Sequence, residues 1–195
     1  MKHLKMLGLF VMAAASLMAF TGSASAATLT APTGTVYFGN LSATLEGSAL
    51  LKAGFAEITC NSSTVAGEVT TNNETEAGGP ISKVEFSNCG SSTVTTINNN
   101  GTLKITKGTH VVSGTGVEVT VSQFGTDCVY GMSTGTTLGT ADNTIVVEGG
   151  KNVDKVTLTV KTKLTLISSN SFLCANPAEW TANYLVTTPK ETFAD

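Results

Sequence analysis

The stretch Val153 to Ile167 reads V-D-K-V-T-L-T-V-K-T-K-L-T-L-I and is the longest period-two pattern in the chain. Apolar residues dominate the even positions from Val156 to Leu166, whereas lysine and threonine fill the odd positions. Because successive strand side chains point to opposite faces, the pattern predicts a half-buried strand that needs a second apolar layer. Its length, about 50 Å at 3.3 Å per residue, predicts a bulge or a bend.

Most other segments are shorter versions of this pattern, separated by turns rich in glycine and asparagine. About ten such strands, with no amphipathic helix after the N-terminal region, predict an all-β fold. We expect an antiparallel β-sandwich, either immunoglobulin-like or a partly closed barrel. Parallel βαβ folds are excluded.

Several local expectations follow from turn chemistry and periodicity. Asn98 to Gly101 is predicted to be a hairpin turn because Asn and Gly tolerate positive φ, and Ser113 to Gly116 is predicted to repeat it. Thr33 to Phe38 is predicted to be a short opening strand, Ser42 to Leu51 to be irregular, and Trp180 to Val186 to be the last strand.

The N-terminus has the parts of a secretory signal peptide. Lys2 and Lys5 precede an apolar run from Met6 to Phe20, and small residues lead to Ala24-Ser25-Ala26. The run is short for a bilayer span and ends in an A-x-A motif, so we expect a signal peptide over 1–26. Cleavage after Ala24 or Ala27 is the alternative. Residues 27–195 then form a single exported domain, or two tightly joined small sheets.

Charge excludes one large class of partner. Without Lys2 and Lys5, the mature chain has 9 lysines, no arginine and 14 acidic residues, so its net charge is 9 − 14 = −5. A nucleic-acid-binding protein needs a basic surface, which this composition does not supply. We also expect no membrane span after the signal peptide is removed.

The mature chain has an even number of cysteines, which in an exported protein predicts two disulfides. They are Cys60, Cys89, Cys128 and Cys174. Three connectivities are possible, and we favour Cys60–Cys89 with Cys128–Cys174 because sequential pairing joins two separate halves without crossing. A zinc site is not expected, since there is no C-x-x-C and His110 is the only mature histidine.

One motif formally matches a hydrolase. Gly131 to Gly135 reads G-M-S-T-G, the G-x-S-x-G pattern of the nucleophile elbow with Ser133 as nucleophile. The elbow requires a strand before it and a helix after it, whereas a glycine- and threonine-rich β-segment follows here. A triad of His110, Asp127 and a serine would have to be assembled by the fold. The simpler interpretation places His110 at the end of a hairpin.

Other charged residues have simple structural interpretations. Glutamates on alternating strands could pair across a cleft for glycoside hydrolysis, but isolated ones usually face solvent. Three lysines share a face of the long strand and could meet an anionic polymer, although such lysines more often keep a sheet soluble. These residues are Glu57, Glu85, Glu118, Glu148, Lys155, Lys161 and Lys163. No calcium loop is present in the sequence, so neither a metal nor a cofactor is expected.

The cysteine frame carries a resemblance. The segments I-T-C-N-S-S-T-V-A-G-E-V-T, G-G-P-I-S-K-V-E-F-S-N-C, D-C-V-Y-G, F-L-C and W-T-A-N-Y-L-V-T lie between Phe55 and Thr188. In this region the chain resembles small exported four-cysteine β-proteins of soil actinobacteria that have no assigned activity. The resemblance implies sequential disulfides and a secreted location, and it implies no catalytic residue.

These observations lead us to expect a non-enzymatic binding or structural module that is secreted, either free or attached to the cell surface. Its unidentified partner would contact the loops Thr71 to Pro80 and Tyr130 to Thr140, because loops on a rigid scaffold usually carry recognition. The alternative is a small-ligand or glycan-binding module that uses Tyr130, Trp180 or Tyr184, provided that these rings are not simply core residues. A secreted hydrolase is the second alternative.

Overall fold

The structure, a computed structural model, describes residues 29–31, 34–54, 56–98 and 100–194. The signal peptide predicted for residues 1–26 lies outside the described residues. Every regular secondary-structure element among the described residues is a strand. The strands are β1 (Leu29–Thr30), β2 (Gly39–Ala53), β3 (Ala56–Cys60), β4 (Ser62–Val69), β5 (Thr71–Asn72), β6 (Glu76–Ser87), β7 (Thr93–Asn98), β8 (Thr102–Thr106), β9 (Val111–Thr115), β10 (Glu118–Gln123), β11 (Thr126–Gly131), β12 (Thr136–Glu148), β13 (Lys151–Ser169), β14 (Ala178–Thr188) and β15 (Phe193–Ala194).

The antiparallel sheet closes into a barrel. Its strands follow the order β12-β9-β8-β6-β4-β2-β14-β13, and β13 pairs again with β12 to complete a ring of eight strands. The two-stranded β1–β15 sheet pairs Leu29 with Ala194 and lies near the N-terminal half of β13. The all-β, antiparallel fold is therefore confirmed, and of the two predicted forms the barrel applies.

The barrel continues beyond this ring as a second tier. The C-terminal half of β13 pairs with β11, which leads through β10 to β7. Along the chain, β7 continues into β8, β9 into β10, and β11 into β12. Each of these pairs thus connects the two tiers along the chain, and the sheet wraps around a single apolar core.

The strand β13 confirms the central prediction. Val156, Leu158, Val160 and Leu164 are buried along its even positions. The predicted bulge is also present: Val129 pairs with Ser168 and Tyr130 with Leu166, which leaves Ile167 as an extra residue. Lys155 departs from the pattern because its side chain is 2 % exposed and its Nζ lies 3.1 Å from Glu148 Oε1.

Two predicted hairpins are wrong. β7 pairs with β10, and β8 pairs with β6 and β9, so the strands that flank Asn98 to Gly101 do not pair with each other. Ser113 to Thr115 likewise belong to β9 and pair with β8, and Gly116 lies where β9 leads into β10. The reason is steric: a Cβ on Gly101 would stand 2.3 Å from the Thr115 carbonyl oxygen, so the glycine permits close approach of two bending strands.

The N-terminal part of the barrel also differs from expectation. Ser42 to Leu51, predicted to be irregular, lies within β2, and its odd positions face inward with small residues such as Ala43 and Ala49. Gly47 is exposed within β2 with φ 76°, where the pairing with β14 shifts register, and it interrupts an alternation that alanines already make weak. Of the predicted strand Thr33 to Phe38, the described residues contribute one bridge, Thr30 to Val36.

The predicted disulfides are confirmed. Cys60 bonds to Cys89, and Cys128 bonds to Cys174. The first links the end of β3 to the loop after β6, where the β4–β6 ladder ends. The second links β11 to the loop between β13 and β14. All four cysteines are buried, and the described residues include no free cysteine.

Candidate functional site

The most distinctive site is the interior of the barrel, where inward-facing side chains leave an apolar cavity of about 70 Å³. Period-two alternation brings one face of every strand to this interior. Its lining includes four aromatic residues from three different strands, Phe86 of β6, Tyr130 of β11, and Trp180 and Tyr184 of β14. Aliphatic side chains from both tiers complete the wall, so the cavity spans the junction of the two tiers.

Trp180 of β14 contributes its indole ring to this wall. It lies opposite Thr162 of β13 and Leu51 of β2. Its indole Nε1 is buried and has no hydrogen-bond partner among the described residues. The indole stands edge-to-face to Phe86, at 6.1 Å and 70°, and to Tyr184, at 6.3 Å and 76° between ring planes.

Tyr184 is buried beside the indole with its hydroxyl bonded. Its OH lies 2.9 Å from Ser63 Oγ, and Ser63 Oγ donates to the Glu85 carbonyl at 2.7 Å. Since the serine proton points to Glu85, Tyr184 OH is the donor to Ser63. Burial raises the pKa of Tyr184 to about 12, and the Ser63 hydroxyl opposes part of that shift.

Tyr130 is completely buried, and its hydroxyl donates to the Ala175 carbonyl at 3.0 Å. Burial raises the pKa of this phenol as well. Ala175 belongs to the loop 170–177, which the Cys128–Cys174 disulfide ties to β11. The loop also approaches the β2–β3 turn, where a Cβ on Gly54 would meet the Ala175 Cβ at 3.2 Å. The loop therefore closes one end of the barrel above the cavity.

The wall is least continuous between β6 and β7. The Ile81–Ser87 half of β6 pairs with β4 on one side. On the other side, Thr96 Oγ1 of β7 donates to the Val84 carbonyl at 2.6 Å, and the Ile81 N–H donates to the Gly101 carbonyl at 2.8 Å. Phe86 and Val94, both partly buried, line the cavity at this seam. The Cys60–Cys89 disulfide fixes the β6 side of the seam to β3.

The structure does not bring the predicted hydrolase residues together. His110 lies at the turn between β8 and β9 with φ 54°, and its N–H donates to the Thr106 carbonyl. Ser133 lies in the bend between β11 and β12, hydrogen-bonded to Thr136. About five residues of the β9–β12 ladder, roughly 15 Å, separate the two. Asp127 is exposed at the far end of β11.

The predicted contact loops are mostly strand. In Thr71 to Pro80, only the Asn73 turn joins β5 to β6, and Glu76 to Pro80 pairs with β8. In Tyr130 to Thr140, Tyr130 belongs to β11 and Thr136 begins β12. Both loop predictions were wrong because glycines such as Gly78, which closely approaches Leu103 O, permit strand packing there.

The charged candidates lie on the outer surface, apart from Lys155. Glu57 pairs with Lys52 at 3.2 Å, and Glu85 pairs with Lys83 at 2.9 Å, all four side chains being largely exposed. Exposed ion pairs of this kind are common on sheet surfaces and imply no chemistry. Among the described residues, no group of three or more His, Cys, Asp or Glu side chains is placed to hold a metal ion.

The aromatic residues proposed for ligand contact face the interior. Tyr130 and Tyr184 are buried, and Trp180 is partly buried against the core. A glycan-binding platform would need these rings exposed around a concavity. Sequence reasoning missed Phe86 and Ser63 as parts of the site. The alternation of Ile81 to Phe86 could have suggested an inward Phe86, whereas Ser63 gives no signal because serine suits either face.

Apolar side chains are exposed at the end of the barrel that the loop 170–177 closes. Phe124 is 83 % exposed and Phe172 is 97 % exposed. Phe124 adopts a φ of 50° in the β10–β11 turn, a region that favours Asn and Gly. The two turns are held side by side because Asn170 N–H donates to Asp127 O and Asn170 Oδ1 accepts from Asp127 N–H.

Comparison with known proteins gives no relative. The chain matches no protein-family model, and no curated protein or solved structure is significantly similar to it. The resemblance to actinobacterial four-cysteine proteins therefore stays a prediction. Among the described residues, none forms a helix of the length and apolarity needed to cross a bilayer.

Proposed function

We propose that this protein is a non-enzymatic binding protein that holds a small apolar molecule inside its barrel. The observation that supports this proposal is the cavity, whose lining is apolar and whose two tyrosine hydroxyls already have hydrogen-bond partners. Eight-stranded barrels are just wide enough either to fill with side chains or to enclose one small ligand. A dry, apolar cavity binds apolar molecules because water gains too few hydrogen bonds there.

The size of the cavity limits the ligand. Its volume of about 70 Å³ is roughly half that of the 150 Å³ engineered cavity that binds benzene. One water-sized sphere needs about 10–15 Å³, so the space holds about five such spheres. We therefore expect the unexpanded barrel to accept molecules of about three to five non-hydrogen atoms. Larger ligands would require the wall to open.

The seam between β6 and β7 is the proposed entrance. Elsewhere in the ring, opening the wall would break regular backbone ladders, whereas among the described strands β6 and β7 share no ladder. Local opening is cheapest where few backbone bonds must be broken. The Cys60–Cys89 disulfide holds β6 in place, so β7 is the strand expected to move.

The proposed location is extracellular. The two disulfides are consistent with an oxidising compartment, and the N-terminal sequence predicts export. A closed, cross-linked barrel suits a protein that must survive outside the cell, since each disulfide restricts the unfolded chain.

The test is a binding titration of the mature chain with isobutene, followed by methyl NMR. The resonances of cavity residues such as Val160 should shift saturably. The variant Val119→Ile adds a methylene inside the cavity and should weaken binding by at least about tenfold. Its matched control is Val129→Ile, the same change on the partly exposed face of β11. The proposal fails if the cavity methyls do not respond, or if both variants bind as the parent does.

A further inference from the structure

We infer that one end of the barrel docks on the surface of a lipid bilayer with uncharged or zwitterionic headgroups by inserting two phenylalanine side chains. The inserting surface, called the apolar tip below, consists of the β10–β11 turn (residues 122–126) and the segment 168–174 that follows the pairing of β13 with β11. Phe124 and Phe172 are almost fully exposed there, and Leu173 is partly exposed. The tip is separate from the proposed cavity, because none of these three side chains lines it.

The backbone of Phe124 indicates that its side chain has a role other than stabilising the turn. Gln123 pairs with Thr126, so Phe124 and Gly125 form a two-residue hairpin turn with φ values of 50° and 76°. A turn with two positive φ values favours Asn-Gly, since Asn and Gly tolerate this conformation better than Phe does. Packing of the ring does not offset the strain, because the ring is exposed. An exposed apolar side chain in a strained conformation points to a function.

Many polar groups of the tip are bonded to each other. The Asn170 side chain joins the two segments, since its Oδ1 accepts from the Asp127 N–H at 2.8 Å and its Nδ2 donates to the Gly125 carbonyl at 3.4 Å. Within the loop, the Leu173 N–H donates to Ser171 Oγ at 3.2 Å. Unpaired polar groups are costly to bring near hydrocarbon, so these bonds lower the free-energy cost of insertion.

The tip also has its shape before it meets a membrane. Cys174 is bonded to Cys128 of β11, and the Asn170 N–H donates to the Asp127 carbonyl at 3.2 Å. The turn and the loop are therefore fixed side by side at one end of the barrel. A surface that is already in its bound conformation loses little conformational entropy on binding. The two rings can thus insert together.

The charges of the tip determine which membrane it fits. Residues 122–126 and 168–174 include no charged side chain, and the charged residue next to them along the chain is Asp127. Docking on anionic lipids relies on clusters of lysine and arginine, which the tip lacks. The mature chain as a whole also has more acidic than basic residues. A zwitterionic surface such as phosphatidylcholine is therefore the matching one.

The size of the tip fits a bilayer better than a protein partner. A phenylalanine side chain offers about 200 Å² of surface, so the two exposed rings present roughly 350 Å². A stable protein interface takes about 800 Å² from each partner, and this requirement applies equally to a second copy of the chain. Docking on a bilayer has no such minimum, because its affinity grows with each apolar side chain that is buried.

The test is flotation of the mature chain with phosphatidylcholine vesicles, from which a partition coefficient is obtained. Phe172→Ser and Phe124→Asn should each lower this coefficient by roughly tenfold, and the double variant by roughly a hundredfold. Phe124→Asn relieves the strained turn, so it should be at least as stable as the parent. Its loss of partition would therefore not come from unfolding.

Phe38→Ser is the matched control. Phe38 is 57 % exposed, and it precedes β2 at the opposite end of the barrel, since β2 ends at Ala53 beside the turn that approaches Ala175. The control should partition as the parent does. An equal loss in Phe38→Ser and in the tip variants would mean unspecific adsorption and would overturn the inference.

Two further measurements identify the docking surface and the lipid. Nitroxide-labelled phosphatidylcholine should broaden the amide NMR resonances of Phe124, Gly125 and Phe172, and it should leave that of Phe38 sharp. Partition should be equal at low and high salt and should not rise when anionic lipid is added, because the tip carries no cation.

The opposite results refute docking by the tip. These are absence of partition of the parent into phosphatidylcholine vesicles, partition that requires anionic lipid, or broadening confined to resonances outside the tip. A parent chain that is dimeric in solution and becomes monomeric in Phe172→Ser would likewise refute it, since the tip would then bind a second copy of the chain.

Discussion

The stability of the barrel should fall in a specific alkaline range because of Tyr184. In the unfolded chain its phenol has the ordinary pKa of 10.0, whereas burial raises the pKa to about 12 in the folded state. Between these two values the unfolded state has released the proton and the folded state has kept it. The unfolded state thus binds fewer protons, so the free energy of unfolding decreases as the pH rises. The stability that depends on protonated Tyr184 is fully present below pH 10 and is lost by about pH 12.

The magnitude follows from the two pKa values. A difference of about two units at 1.36 kcal/mol each gives a loss of about 3 kcal/mol between pH 10 and pH 12. The cost originates in the burial of the phenolate away from water, which Ser63 offsets only in part because its hydroxyl proton points to the Glu85 carbonyl. Ser63 must rotate away from Glu85 to solvate the phenolate.

Tyr184→Phe provides the matched control. At pH 7 this variant should be about 1 kcal/mol less stable, because it loses the hydrogen bond to Ser63 while Ser63 keeps its bond to Glu85. Above pH 10 the variant should not share the alkaline loss of the parent. The two stability curves are expected to cross near pH 11, and the variant should be the more stable protein at pH 12.

The assay is urea unfolding at a series of pH values from 7 to 12, with tyrosinate absorbance as an independent titration. The difference between parent and Tyr184→Phe removes the effects of other groups that titrate in this range. Parallel curves over the whole range would refute the reasoning, since they would mean that Tyr184 ionises equally in the folded and unfolded states.

Two further predictions concern residues outside the cavity. Glu148→Gln leaves the Lys155 ammonium buried without its carboxylate. Because Glu148 is itself 39 % exposed, we expect the free energy of unfolding, measured in urea at pH 7, to fall by about 2 kcal/mol. Adding Lys155→Met to this variant should restore most of the lost stability, and an unchanged stability in Glu148→Gln would contradict the role of the ion pair. Phe124→Asn should raise the free energy of unfolding by about 1 kcal/mol and so raise the melting temperature. Asn tolerates the left-handed φ of 50°, and the phenylalanine ring that is lost is 83 % exposed. A loss of stability would show that the ring makes contacts that favour the turn.

The period-two patterns predicted the strands and their buried faces well. The inward positions of β13 and of β14 are those that alternation indicates, because each strand has one face on the core. The disulfide pairing was also predictable as the choice that avoids crossing. A sequence pattern reports the local preferences of residues and their order along the chain. The strands and their buried faces depend on those preferences, and the disulfide pairing follows the order of the cysteines.

The partners of the strands could not be predicted in the same way. Gly101 and Gly116 look like turn residues in the sequence, yet they mark the bends at which two neighbouring strands pass close together. Glycine serves both roles, and only the tertiary fold decides between them. Lys155 is a second example. Its odd position on β13 predicts an exposed side chain, but in the structure the side chain is buried and forms an ion pair with Glu148.

The candidate site was predicted only in part. Trp180 and Tyr184 were singled out, but as rings that would have to be exposed, and the structure places both toward the interior. A cavity is the small difference between the space inside the barrel and the summed volume of its lining. The sequence pattern does not indicate this volume, because one additional methylene group on several of the lining residues would fill the cavity without changing the pattern.

Pairing of the first long strand with the last one also constrains the order of folding. β2 and β14 meet at pairs such as Leu45 and Tyr184, which are 139 positions apart (184 − 45). Contacts this distant in sequence form late and slow the folding rate. Until β14 is in place, β2 and β13 both present unpaired edges that can join another chain. Because β14 lies between β2 and β13, the ring of eight strands cannot close before β14 has been synthesised.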